Sequence, residues 1–170
     1  MKVLATFDGT PHSESILPLL GKIAALPDAE IVLLRIQHEP SGKQAGGPRM
    51  QYASSGQIVH VQVEIPQTPY AETQDQALTR VLEESQDYLR GIARKLPEGA
   101  KVFTQAHIAN HAARAIIREA EQDQPDVIVM AMRSRGGLAK AVFGSVTEEV
   151  IASGIAPVLV VHPPEETARS

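Results

Sequence analysis

The sequence predicts an α/β fold. The expectation is a single domain built on a doubly wound, five-stranded parallel sheet of order 3-2-1-4-5, with helices on both faces. Three observations carry it. Short apolar runs alternate with longer amphipathic segments in the order β-α-β-α-β-α-β-α-β, broken by one long connection after the second strand. Runs such as "EIVLLRI" (Glu30–Ile36) are nearly all apolar rather than alternating, as strands covered on both faces require. Right-handed crossovers between parallel strands then force the intervening helices onto the sheet.

Each element follows from its residues. "KVLATF" (Lys2–Phe7) is a β-type run stopped by the turn pair Asp8-Gly9. Thr10-Pro11 reads as an N-cap with proline at the first helical position, opening an amphipathic helix to about Leu26. Pro27-Asp28 breaks it, and Glu30–Ile36 is the second strand. The connection from Gln37 to Tyr70 is rich in Gly, Ser, Pro and Gln, but it contains the alternating run "IVHVQVEI" (Ile58–Ile65). A structureless loop of that length is unusual in a compact domain, so an extra strand is expected there. "AETQDQALTRVLEESQDYLRGIARKL" (Ala71–Leu96) is the strongest helix, with Val81, Tyr88, Leu89, Ile92 and Leu96 on one stripe and Pro97 and Gly99 closing it. A third strand is expected at Lys101–Ile108, then a helix capped by Asn110 and running to about Gln122. The strand "VIVMA" (Val127–Ala131), a helix from Gly144-Ser145 through Ile151 and a last strand at Ala156–Val161 follow. The domain spans about 1–163, with a short polar tail at 164–170.

Composition excludes several classes of function. The 170 residues suffice for one domain with a real core, 43% being hydrophobic and 21% charged. A net charge of −4 leaves no global basic field to draw the chain onto nucleic acid or anionic membrane. Cysteine is absent, which removes disulfides and thiolate-ligated zinc. The apolar run after Lys2 is too short for a signal-peptide core, and no apolar window spans a bilayer; the expectation is a soluble cytoplasmic protein. No Walker loop, dinucleotide G-x-G-x-x-G, G-x-S-x-G elbow or H-E-x-x-H helix occurs. His107 and His111 fall on different elements, so their spacing makes no metal site.

Ligands of open parallel sheets bind at the carboxyl ends of the strands where the order reverses. For order 3-2-1-4-5 that point lies between the first and fourth strands, at Asp8-Gly9 and at "MAMRSRGGLAKAVFGS" (Met130–Ser145). Gly136 and Gly137 let backbone N–H groups turn inward, Arg133, Arg135 and Lys140 supply positive charge, and Gly144-Ser145 opens a helix whose N-terminus favours an anion. The same residues also describe a tight turn with solvated cations and a simple N-cap. Asp8 has two readings as well, a contact to ribose, adenine or a metal-bound phosphate, or a turn former before Gly9.

These residues resemble the universal stress protein family, within the flavodoxin-like adenine-nucleotide α-hydrolase group. The resemblance rests on "VLATFDGTPHSESILPLL", "IVLLRI", "PDVIVMA" and "GGLAKAVFGSVTEEVIASGIAPVLVV" and covers the chain outside Gln37–Tyr70. The family signature G-x2-G-x9-G-[ST] aligns here as Ala131-x2-Ser134-x9-Gly144-Ser145, with its spacing intact. It implies that Asp8 contacts the nucleoside, that Ile36 packs on adenine through its backbone, and that the loop 131–145 holds ribose and phosphates. The nucleotide-binding set is then Thr6, Asp8, Ile36, Ala131, Arg133, Ser134, Arg135, Gly136, Gly137, Gly144, Ser145 and Val146. Ala131 and Ser134 depart from the family's glycines. A side chain at a position needing positive φ costs roughly 1–2 kcal/mol, against about 1.5–3 kcal/mol for a charge-assisted phosphate contact, so the two terms are comparable.

The implied function is binding of an adenine nucleotide, ATP first and AMP or cAMP as alternatives, with Mg²⁺ carried by ATP and Asp8 its one candidate protein ligand. The protein would act as a stress-response regulator or partner-binding module, with at most slow ATP hydrolysis and no catalytic residue assigned. The alternative is a nucleotide-free member acting through dimerisation and protein contacts, with the 37–70 insertion as a partner surface. The resemblance also implies a homodimer joined through Val158, Leu159, Val160 and Val161 of the last strand.

Overall fold

The computed structural model describes residues 1–39, 73–132 and 144–162. Five parallel strands, β1 (Lys2–Phe7), β2 (Glu30–Gln37), β3 (Lys101–Ile108), β4 (Val127–Ala131) and β5 (Val158–Val161), form one sheet in the order β3-β2-β1-β4-β5. The helices are α1 (Leu17–Ala24), α2 (Gln74–Ala93), α3 (Ala112–Asp123) and α4 (Ser145–Ser153). Order and fold class are as the sequence predicts.

The parity of each strand decides which helices it meets, because successive side chains point to opposite faces. Val3, Ala5 and Phe7 of β1 and Ile31 and Leu33 of β2 pack with Ile16, Leu20 and Ile23 near α1 and with Leu89 and Ile92 of α2. Leu4, Val32 and Leu34 face the other way, onto Ala113, Ile116 and Ala120 of α3 and Val150 of α4. Burial on both faces is why these strands read as continuous apolar runs. The β1–β2 register pairs Phe7, the last residue of β1, with Arg35, so β2 carries Ile36 and Gln37 beyond the end of β1 at the sheet's carboxyl edge.

Several boundaries differ from the sequence reading, each for a local reason. Asp8 Oδ1 accepts hydrogen bonds from Thr10 N (2.9 Å) and Thr10 Oγ1 (2.6 Å), so the chain first makes a turn closed by the aspartate. Ser13 N then donates to Thr10 O at 3.1 Å, and a 3-10 segment, Ser13–Ile16, precedes the α-helix. The 3-10 segment takes His12 as its N-cap, so Thr10 and Pro11 belong to the turn before it rather than capping a helix, and Pro18 is the proline in the first turn of α1. In α3 the N-cap is His111, not Asn110. Ala109 N donates to Gln37 O at 2.8 Å, continuing the β2–β3 ladder beyond the strand and delaying the helix by one residue. The helix α2 starts at Gln74 behind a capping box, with Thr73 Oγ1 accepting from Gln76 N and Gln76 Oε1 accepting from Thr73 N. The last strand begins at Val158 rather than Ala156. The expected strand at Ile58–Ile65 and the tail at 164–170 lie outside the described residues. No helix among the described residues is long and apolar enough to cross a membrane.

Candidate functional site

A cavity of about 420 Å³ opens at the carboxyl edge of the sheet, at the point where the strand order reverses. Thr6 projects into it from β1, on the same side as Leu4. Asp8 stands at the lip, held in its turn by Thr10. Ile36 enters from β2, Ala131 from the last position of β4, and Gly144, Ser145 and Val146 from the start of α4. The fold therefore gathers these seven sequence-derived residues around one cavity. Arg133, Ser134, Arg135, Gly136, Gly137 and Lys140 lie outside the described residues.

The start of α4 determines what this cavity can hold. Gly144 is the N-cap, with φ −71° and ψ 154°, and Ser145 is the first helical residue rather than the cap. Gly144 has no side chain with which to cap the helix, so the N–H groups of its first turn receive no oxygen from the cap residue's side chain. An ideal Cβ placed on Gly144 would meet no heavy atom within 4 Å. The missing side chain thus leaves open space where the helix dipole is most attractive to an anion. The first turn of α3 reaches the same cavity through Ala112, and His111 makes no side-chain cap there either. Two helix N-termini, from helices of 12 and 9 residues, meet at one cavity.

Residues that the sequence reading missed complete the walls. Leu34, Ile116, Met130 and Met132 make an apolar floor, and His12, Thr147 and Glu148 add polar groups. Ala112 and Ile116 carried a legible signal, since their i,i+4 spacing puts them on one helical face. Met130 and Met132 lie in the stretch that the sequence placed at the switch point, but no pattern singled out their side chains as lining the cavity. Among the described residues, the carboxylates on the wall are Asp8 and Glu148. Glu148 occupies the first turn of α4, where the dipole favours a negative charge. No group of three His, Asp or Glu side chains suited to a metal occurs among the described residues. Asp8 thus fits Mg²⁺ only as one oxygen ligand of an ion whose remaining ligands come from phosphate and water.

His107 and His111 are separated, as expected. His107 on β3 faces Glu119 Oε1 of α3 at 3.4 Å, without the alignment of a hydrogen bond, while His111 stands at the start of α3.

The chain is similar to several known proteins. Universal stress protein MJ0531 of Methanocaldococcus jannaschii is 35% identical over 85 residues, so the match spans 49% of this chain and about half the length of that relative (49%). Among solved structures, hypothetical protein MJ0577 superposes with a TM-score of 0.68 at 23% identity, covering 95% of this chain and 94% of its own. A universal stress protein from Archaeoglobus fulgidus in complex with dAMP has a TM-score of 0.54 at 18% identity, with 94% of each chain covered. A universal stress protein in complex with cAMP has a TM-score of 0.53 at 15% identity, covering 96% of this chain and 97% of its own. At these identities the solved structures show a shared fold. The universal stress protein family as a whole matches residues 1–162, and the chain belongs to that family.

Proposed function

We propose that this protein binds an adenine nucleotide in the cavity between β1 and β4, and that it acts as a nucleotide-dependent stress-response regulator or partner-binding module. The observation that carries the reading is the uncapped start of α4, with empty space beside Gly144, in the same cavity as Asp8 and Ile36. A volume of about 420 Å³ with an apolar floor and a few polar groups is of the kind that holds a small molecule.

In this reading the base lies against Ile36 and Leu34, Asp8 and Thr6 contact the nucleoside, and the phosphates meet the first-turn N–H groups of α4 and the Ser145 hydroxyl. Ala131, at the end of β4, flanks the ribose. The sequence assigns the remaining phosphate contacts to Arg133, Ser134, Arg135, Gly136 and Gly137. ATP is the first candidate, because cations at 133 and 135 add to the dipole of α4. AMP and cAMP are tested beside it, as two structural neighbours carry dAMP and cAMP. Mg²⁺ bound to ATP would neutralise phosphate charge near the Asp8 and Glu148 carboxylates. A homodimer through β5 belongs to the same proposal. It is an edge strand, and Leu159 exposes 42% of its surface there, an apolar edge that pairing would cover.

Ultraviolet spectroscopy and thermal shift test the reading together. The chain has no Trp and three Tyr, so bound adenine would dominate absorbance near 260 nm and appear in the supernatant after denaturation. At a ligand concentration of 100 Kd, binding stabilises by about 2.7 kcal/mol, a rise of roughly 5–10 °C in Tm. A bare protein spectrum together with an unchanged Tm in ATP, AMP and cAMP, with and without Mg²⁺, overturns it.

A further inference from the structure

The opposite face of the sheet carries an arrangement that the nucleotide contacts do not use. Arg35, the residue of β2 paired in register with Phe7, points to the α1 and α2 side. Its guanidinium carbon lies 4.7 Å from the centre of the Tyr88 ring of α2. The guanidinium also lies close to Gly9. An ideal Cβ there would stand 2.5 Å from Arg35 Nη2 and 2.9 Å from its Cζ. Gly9 has φ +82°, a conformation that side chains rarely adopt, and it directly follows Asp8. The cation therefore neighbours both an aromatic ring and the backbone of the turn that presents Asp8.

Tyr88 is itself anchored. The Phe7 ring meets the Tyr88 ring edge-on, with centres 6.4 Å apart. Tyr88 Oη donates to Glu14 Oε1 at 3.3 Å, and Lys95 Nζ donates to Glu14 Oε2 at 2.6 Å. Arg35 Nε is buried without a hydrogen-bond partner among the described residues, so this nitrogen is held by packing rather than by a carboxylate. A flat cation held that way tolerates little displacement of either neighbour, since stacking falls off with distance and tilt.

We propose that Arg35 is a positioning residue of the nucleotide site, stacked on Tyr88 and packed close to Gly9 so that α2 fixes the turn from which Asp8 reaches the nucleoside. This inference rests on the nucleotide reading above and adds a residue that touches no ligand. It also gives α2, whose first residue follows the 37–70 connection, a route to the site: a partner that displaces Tyr88 loosens the Asp8 turn and weakens nucleotide binding. The coupling is reciprocal, so nucleotide strengthens whatever holds Tyr88 in place.

The test is a double-mutant cycle on the full chain, with ATP affinity measured by calorimetry. Arg35→Met is expected to weaken binding about tenfold, or about 1.4 kcal/mol. In an Asp8→Ala background the same change is expected to cost less than twofold, because the turn being positioned no longer carries its carboxylate. Arg35→Lys keeps the charge without the plane and is expected to behave as Arg35→Met does; it carries the comparison if the methionine variant does not fold. A second readout is tyrosine emission in a Tyr52→Phe, Tyr70→Phe background, where Tyr88 is the remaining tyrosine. ATP is expected to change its intensity in the presence of Arg35 and to leave it unchanged in Arg35→Met. Full affinity in Arg35→Met, an equal tenfold loss in both Asp8 backgrounds, or full rescue by lysine each overturns the positioning role while leaving nucleotide binding intact. Absence of binding of ATP, AMP and cAMP alike in the wild type overturns the nucleotide reading and this inference with it.

Discussion

Replacing Gly144 by aspartate should push stability and ligand affinity in opposite directions. The backbone at Gly144 has φ −71° and ψ 154°, the extended geometry of an ordinary N-cap, and the position of its Cβ is open to 4 Å. An aspartate fits without strain and its carboxylate can accept from the N–H of Val146 or Thr147. Exchange of glycine for aspartate at an N-cap stabilises by a few tenths of a kcal/mol, and the dipole term brings the gain to about 0.5 kcal/mol. For a chain of this size that raises Tm by roughly 1–2 °C. The same carboxylate would occupy the place proposed for a phosphate and repel it. Loss of one charge-assisted contact, worth about 1.5–3 kcal/mol, weakens binding roughly 10- to 150-fold. Urea unfolding of the ligand-free protein measures the first effect, and calorimetry with ATP the second. A stabilised variant that retained wild-type affinity would refute the placement of phosphate at α4. A clearly destabilised variant would refute the claim that Gly144 is dispensable to the fold.

Three further expectations follow from the structure. Gly9→Ala combines a side chain at φ +82° with a collision at Arg35, and should cost about 1–3 kcal/mol in urea unfolding; a loss below 0.5 kcal/mol would mean the turn relaxes easily. Burial, above all, holds the Tyr88 phenol above its ordinary value, helped by Glu14 and opposed by the Ser13 hydrogen bond and by Arg35. The unfolded chain then loses this proton first, so the contribution is whole below about pH 10, the unfolded value, and falls away as pH rises through the higher folded one. Melts between pH 9 and 11 should show a downward slope that Tyr88→Phe reduces; identical slopes would remove Tyr88 from the account. Leu159→Arg on β5 should convert a dimer to a monomer in light scattering with little change in the fold, and an unaltered mass would place self-association elsewhere.

Much of this was legible in the sequence because burial on two faces leaves a direct mark. The continuous apolar runs of β2 and β4 announced a covered parallel sheet, and strand order with the Gly144-Ser145 pair located the cavity. Asp8 was found by its position at the end of the first strand and by resemblance, Ile36 by resemblance alone, and the fold brings both to the cavity. The start of α3 was misread because Asn110 is a good capping residue by type. A backbone bond from Ala109 to Gln37, which no local pattern encodes, moved the cap to His111. The floor formed by Leu34, Met130 and Met132 was invisible for a similar reason. Apolar residues at strand ends look alike whether they face a core or a cavity. Arg35 was the least legible of all. In sequence it is a cation interrupting an apolar run, and only the meeting of β2, α2 and the Gly9 turn gives it a role.

The most direct test of the account is a calorimetric titration of the ligand-free protein with ATP, AMP, cAMP and GTP, with and without Mg²⁺. The account predicts saturable binding at one site per chain for at least one adenine nucleotide, weaker binding of GTP, and binding weakened by at least about tenfold in Gly144→Asp. Absence of saturable heat for every adenine nucleotide, or identical isotherms for the wild type and Gly144→Asp, would contradict it.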